Sequence, residues 1–183
     1  MTQRPRHPRS IIRDAVRGRI ADPVDGAPPT DAGDRVFASR TVPLWPAGMP
    51  AVVIYARQER IDPDSPRGDE MPLRRLLTVA AEIYAAGETG DEDVDRIASQ
   101  IEARIVEGDT LDGLVESTHL QETNIELTGD GETPVVLAEM SWQIAYYTIP
   151  ALPPEGVRPE HVYLNIFPPF GVDHVDDYDL IGG

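Results

Sequence analysis

Near its C-terminal end the chain reads "GVDHVDDYDLIGG". Asp173, His174, Asp176, Asp177 and Asp179 there form the sharpest candidate group of metal ligands in the sequence. Carboxylates at this spacing suit a hard cation. The run lacks the glycine and the terminal glutamate that close an EF-hand loop, so a solvated acidic tail is expected and no metal. The remaining histidines, His7, His119 and His161, are scattered and form no HExxH or paired-ligand spacing. Acidic pairs such as Asp91 with Glu92, or Asp176 with Asp177, could act as an acid and a base. Neither lies beside an apolar stretch that would raise a pKa. No GxSxG elbow and no GxGxxG occurs. All 16 basic residues are arginine, which removes Schiff-base chemistry, a phosphate-loop lysine and a lysine general base. Arg67-Gly68-Asp69 spells an adhesion tripeptide but reads as part of a turn. Trp45, in "VPLWPAGMP", could stack on a ligand, although its flanking prolines favour a loop anchor. Trp142 reads as core. Enzymatic activity is open to such a chain but has no support in these residues, and no cofactor is expected.

Composition narrows the class further. Cysteine is absent, which excludes disulfides and thiolate metal sites. The basic N-terminus is not followed by an apolar signal region, and no stretch is long enough to span a membrane, so a cytosolic product is expected. Charge is segregated. Six arginines lie in the first 20 residues against Asp14 alone, whereas the remainder holds ten arginines and 31 acids. An acidic body repels phosphate backbones, so general nucleic-acid binding is not expected. The basic segment has two readings, a contact for an acidic partner or an amphipathic surface helix with solvated arginines.

Periodicity supplies the elements that must position any site. Residues 8–20 place Ile11, Ile12, Ala15, Val16 and Ile20 near one helical stripe, with Ser10 as the expected N-cap. Residues 21–34 are rich in Pro, Gly and Asp and read as a loop. A short strand is expected at 35–40 and a longer one at 49–61, opened by Pro50. After a polar loop at 62–70, the strand at 72–86 alternates, with Leu77, Val79, Ala81, Ile83 and Ala85 on one face and Thr78, Glu82 and Tyr84 opposite. A helix follows, with Thr89 and Glu92 as a capping box, Val94, Ile97, Ala98, Ile101 and Ile105 as its buried stripe, and Gly108 as its stop. Residues 110–118 form a short helix or turn. Strands near 120–128 and at 135–148 flank a turn through residues 129–131 and make a hairpin. In the last strand Val136, Ala138, Met140, Trp142, Ile144 and Tyr146 form an apolar face. Val135, Leu137, Glu139, Ser141, Gln143, Ala145 and Tyr147 form a mixed face that is partly wet or covered by something polar.

The expected fold is a single α/β (α+β) domain: an antiparallel or mixed sheet with helices packed on one face and an arm at each end. Its parts are a basic helix and Pro/Gly-rich loop at 1–34, a core at 35–148, and a proline-rich arm with an acidic tail at 149–183.

Residues 44–148 resemble the tail-terminator family of long-tailed bacteriophages, also called minor tail protein U. The resemblance rests on "MPAVVIYARQE" after a helix and loop, then "PLRRLLTVAAEIYAAG", the acidic helix "DEDVDRIASQIEARIV", and "LQETNIELTGDGETPVVLAEMSWQIAYYT". It implies a non-enzymatic virion protein with an α/β fold, assembled in the host cytoplasm and residing at the neck of the tail. Such a protein forms a hexameric ring that caps the tail tube, stops its polymerisation and offers a surface to the head–tail connector. The genome passes through the ring lumen without specific nucleic-acid contacts, and no membrane partner is implied. On this reading the polar loop tips contact the tube or a partner through Asp62, Asp64, Arg67, Asp69, Glu70, Asp130 and Glu132. The stiff proline-rich linker carries Val162, Tyr163, Leu164, Ile166 and Phe167 to a neighbouring subunit, where the run can add to a sheet edge. Two alternatives stand beside it: a head-completion or connector protein of the neck, and a small-ligand-binding or enzymatic α/β domain. A buried cleft with convergent polar side chains favours the latter.

Overall fold

A computed structural model describes residues 6–65, 71–128 and 134–149, together with two short strands nearer the C-terminus. The chain divides into two compact units, Met1–Ile149 and Pro150–Gly183. The first is an α+β domain. In chain order it contains α1 (Pro8–Ala21), β1 (Val36–Ala38), a 3-10 turn (Pro46–Gly48), β2 (Ala51–Ile61), β3 (Leu73–Ala86), α2 (Gly90–Arg104), β4 (Ser117–Thr128) and β5 (Val135–Thr148). The five strands form one mixed sheet in the order β1-β2-β3-β5-β4, with β1 parallel to β2 and every other pair antiparallel. In the second unit β6 (Val162–Leu164) pairs antiparallel with β7 (Asp179–Ile181).

Both helices share the core of one sheet face. Ile12, Val16 and Ile20 of α1 and Val94, Ile97 and Ile101 of α2 pack in one cluster with Val52 and Ile54, with alternate residues of β3 from Leu77 to Ala85, and with alternate residues of β5 from Val136 to Tyr146. Trp142, the largest fully buried side chain, lies here as its position in the alternation requires. Ile11, placed on the same stripe by its sequence, is instead 39% exposed, because the i, i+4, i+8 spacing of Ile12, Val16 and Ile20 defines the packed line.

The helix starts differ from expectation. Pro8 occupies the first turn of α1, where its missing N–H is no loss, and this moves the cap back to His7. The His7 ring accepts the Arg9 N–H at 3.3 Å, and Ser10 sits inside the turn with its hydroxyl donating to the His7 carbonyl at 2.7 Å. At α2 the Thr89 hydroxyl contacts the Asp93 carboxylate at 3.2 Å rather than a backbone N–H, so no capping box forms. Asp91, Glu92 and Asp93 still complement the positive end of the helix dipole. At the other end the helix stops at Arg104. Gly108 (φ 75°) lies beyond the cap, and its N–H donates to the Thr118 carbonyl at 2.8 Å, which steers the chain into β4. Residues 110–116 are turn rather than helix, and three consecutive residues there, Leu111, Asp112 and Gly113, adopt left-handed backbone.

The described part of the basic N-terminal segment belongs to this domain, and four of its arginines, Arg6, Arg13, Arg17 and Arg19, bind the domain itself. Arg6 and Arg13 both contact Asp14, and Arg13 also donates to Ser39 at 2.7 Å. Arg17 reaches the Val36 carbonyl at 3.0 Å, and Arg19 pairs with Asp112 at 2.9 Å. Burial acts to raise the Asp14 carboxyl, but hydrogen bonds from Arg6 and Arg13 bring it below its ordinary value.

Two isoleucines of opposite exposure test this packing. Ile101→Ala opens a cavity in the fully buried cluster and should cost about 2–5 kcal/mol in urea unfolding. Ile11→Ala should move stability by roughly 0.5 kcal/mol or less.

Candidate functional site

The sheet face away from the helices carries the most concentrated polar chemistry among the described residues. Glu82 and Glu139 are direct cross-strand partners in the β3–β5 ladder. Like charges placed opposite one another repel, so this pair needs a cation. Arg57 supplies it. The β2–β3 register shifts between Ala56 and Gln58, leaving Arg57 as the extra residue of a bulge, and a bulge re-aims its side chain. The Arg57 guanidinium forms a close ion pair with Glu82, lies 3.0 Å from Glu139, and stacks 4.6 Å over the Tyr55 ring. Tyr84 donates to the second Glu82 oxygen at 2.5 Å, and Tyr55 donates to the Arg40 carbonyl at 3.0 Å. Burial and the Glu82 charge push both phenols above their ordinary pKa. They therefore stay protonated at neutral pH and are poor acid–base groups there. The cluster is a charge clamp across three strands.

A cavity of about 420 Å³ opens beside it, between this face and the loop after β1. Val53, Tyr55 and Tyr84 line it from the sheet, and Val42, Leu44 and Met49 line it from the loop. Trp45 does not anchor that loop, being 74% exposed. Its neighbours Leu44 and Pro46 face the cavity instead.

The loop tips singled out from the sequence do not converge on this cluster. Asp62 is nearly buried and committed to its own turn. It accepts the Asp64 N–H at 3.1 Å, forms a close ion pair with Arg74, and shares a turn in which Ser65 accepts the Arg74 N–H at 2.9 Å. Arg74 also binds Glu116 at 2.6 Å, which ties the β2–β3 connection to the start of β4. Asp64 is exposed. Arg67, Asp69, Glu70, Asp130 and Glu132 lie outside the described residues. So do Ile166, Phe167, Asp173, His174, Asp176 and Asp177. Val162, Tyr163 and Leu164 form β6, which pairs with β7. Asp179 lies within β7, opposite Leu164. Among the described residues no group of three or more acidic, histidine or cysteine side chains is arranged to hold a metal, and no helix is long and apolar enough to cross a membrane.

Sequence reasoning placed Glu82, Tyr84 and Glu139 on the mixed faces of their strands but did not bring them together. Their juxtaposition depends on the β3–β5 register. Arg57 depends on a bulge that no local signal marks. Compared with known proteins, the chain matches no family model and no curated sequence.

Two substitutions test the ionic arrangement. Arg57→Met leaves Glu82 and Glu139 facing each other unneutralised and should lower stability by about 0.5–1 kcal/mol at pH 7. The deficit should shrink in urea melts at about 1 M salt, where screening weakens the repulsion between the exposed charges. At Asp62, the backbone N–H of Asp64 and then Arg74 hold the carboxyl below its ordinary value of 3.8. A depressed folded pKa contributes stability that is present above the unfolded value and lost as pH falls through the folded one. Asp62→Asn should therefore be less stable than the parent chain at pH 6, and the gap between them should close below about pH 4.

Proposed function

We propose that this chain is a structural subunit of a phage tail, a tail terminator that assembles as a ring on the end of the tail tube, stops its growth and presents a surface for head joining. The observation that carries the reading is the architecture of the first unit. One five-stranded sheet has a single face filled by helices, while its other face carries the ionic clamp of Arg57 with Glu82 and Glu139. The β4 edge carries exposed side chains from His119 to Glu126, as suits a protomer that needs a neighbour. The order of helix, strand pair, acidic helix and hairpin follows the resemblance of residues 44–148 to the tail-terminator family. A hexamer on the tube, with the head–tail connector as its other partner, is the assembly this implies. A head-completion protein of the neck shares these properties and differs in which neighbour it binds.

One observation favours a second reading. The cavity beside Tyr55 and Tyr84 has two tyrosines on one wall and the apolar side chains of Val42, Leu44 and Met49 on the other, the makeup of a small-ligand site. A thermal-shift screen in which no small molecule stabilises the parent chain more than a Tyr84→Ala variant would remove it.

Purified protein added to polymerising tail tubes should shorten them to a set length, with six copies per finished end by electron microscopy. Tubes of unchanged length would count against termination. Within that assay the loop positions singled out from the sequence can be checked by charge reversal at Asp64, Asp69 and Asp130. The triple variant should keep its circular-dichroism spectrum and cap poorly, and normal capping would take these tips out of the contact.

A further inference from the structure

The five-stranded sheet ends in two backbones with hydrogen-bonding capacity left over. β4 runs for twelve residues with β5 on one side and, among the described residues, no strand on the other. At the opposite end β1 covers β2 only from Val52 to Ile54, so among the described residues no strand pairs with the outer side of residues 55–61 of β2. Open edges of this length accept another strand.

The side chains along the two edges are complementary. The β2 bulge inverts its alternation, and the registers put Arg60 on the helix-free face and Ile61 on the helix face. β4 is also bulged, between Leu120 and Glu122. Its registers put Glu122 and Glu126 on the helix-free face and Leu120 and Ile125 on the helix face. Ile61 is 50% exposed and Ile125 52%. Among the described residues Arg60, Glu122 and Glu126 take part in no ion pair. Pairing of β4 with β4 would set glutamates of two copies against one another, and pairing of β2 with β2 would do the same with Arg57 and Arg60. Like charges directly opposite disfavour both. The unlike edges fit. Three antiparallel steps separate β2 from β4 in the sheet, so a second copy placed alongside in the same orientation presents β2 antiparallel to β4. Its helices then fall on the same side, its arginine faces the glutamates, and its Ile61 faces Leu120 or Ile125.

We infer that residues 55–61 of β2 in one copy add to β4 of the next, joining copies of this chain head to tail through a continuous sheet. β1 blocks the rest of the β2 edge, so neighbouring sheets are offset along the strand direction. A heterologous contact of this kind repeats and closes into a ring when the rotation permits. The inference rests on the ring-forming reading above and specifies the contact that reading leaves open.

Charge exchange between the edges tests it. Arg60→Glu and the double variant Glu122→Arg/Glu126→Arg alter exposed positions, and circular dichroism should report both as folded. In native mass spectrometry of the full chain, on its own and on tail tubes, each variant alone should require on the order of tenfold more protein to assemble, since like charges set opposite one another across a strand pair disfavour the contact. An equal mixture should regain assembly with the two chains alternating, because each mixed contact again pairs opposite charges. The chain has no cysteine of its own, so oxidation of an Ile61→Cys/Ile125→Cys variant should give covalent ladders longer than a dimer. Equal assembly of the parent and both single-edge variants, with no ladder, would overturn the edge contact while leaving the ring intact. A parent chain that stays monomeric at every concentration, on tubes as well as free, would overturn both.

Discussion

Fourteen consecutive residue pairs join β3 to β5 without a register shift, from Leu73 opposite Thr148 to Ala86 opposite Val135. With a side-chain period of two, this ladder decides for both strands which residues face the helices. A slip of one residue would bring Leu77, Val79 and Ile83 to the other side and leave α1 and α2 without a floor. The same register makes Glu82 and Glu139 neighbours, and their repulsion is what Arg57 answers. The core, the clamp and the cavity beside it therefore descend from one strand pair.

Legibility followed the range of the signal. The β3 and β5 faces, the α2 stripe and the burial of Trp142 could be read because alternation and helical period act within a few residues. The bulges at Arg57 and Gln121 could not, since a bulge is defined by what the partner strand does and nothing in "YARQER" or "HLQET" marks it. Parity beyond each bulge was lost with it, which hid the exposed Ile61 and Ile125. The cap of α1 went to His7 because Pro8 outweighs the preference of Ser10 for that role. Trp45 was read as an anchor from its proline neighbours, yet the prolines shape the loop so that Leu44 and Met49 face inward. At Asp62 the polar composition of a loop tip concealed an ionic contact with Arg74, twelve residues away.

The arginine-rich segment shows how segregated charge in a sequence can be local in the fold. Arg17 and Arg104 cap backbone carbonyls, of Val36 and Arg19 respectively, while Arg6, Arg13 and Arg19 meet acids of the same domain. A planar guanidinium can donate to a carbonyl and a carboxylate from one position, so these side chains fasten α1 to β1 and to the turn before β4. The contrast between a basic head and an acidic body, read along the chain, becomes a set of short contacts once the helix packs.

The placement of the two bulges has a consequence for how this protein can change length over evolution. Both interruptions fall on strands next to a sheet boundary, while the two central strands are regular. Removing Arg57 or Gln121 from the chain would convert an interrupted ladder into a regular one and leave every remaining pairing in place. Losing any single residue from β3 or β5 would invert a whole face. Single-residue deletions should therefore be survivable in this lineage at the flanks of the sheet and lethal to the fold at its centre, so that variation in length accumulates in the flanking strands and is purged from the two that hold the fold together.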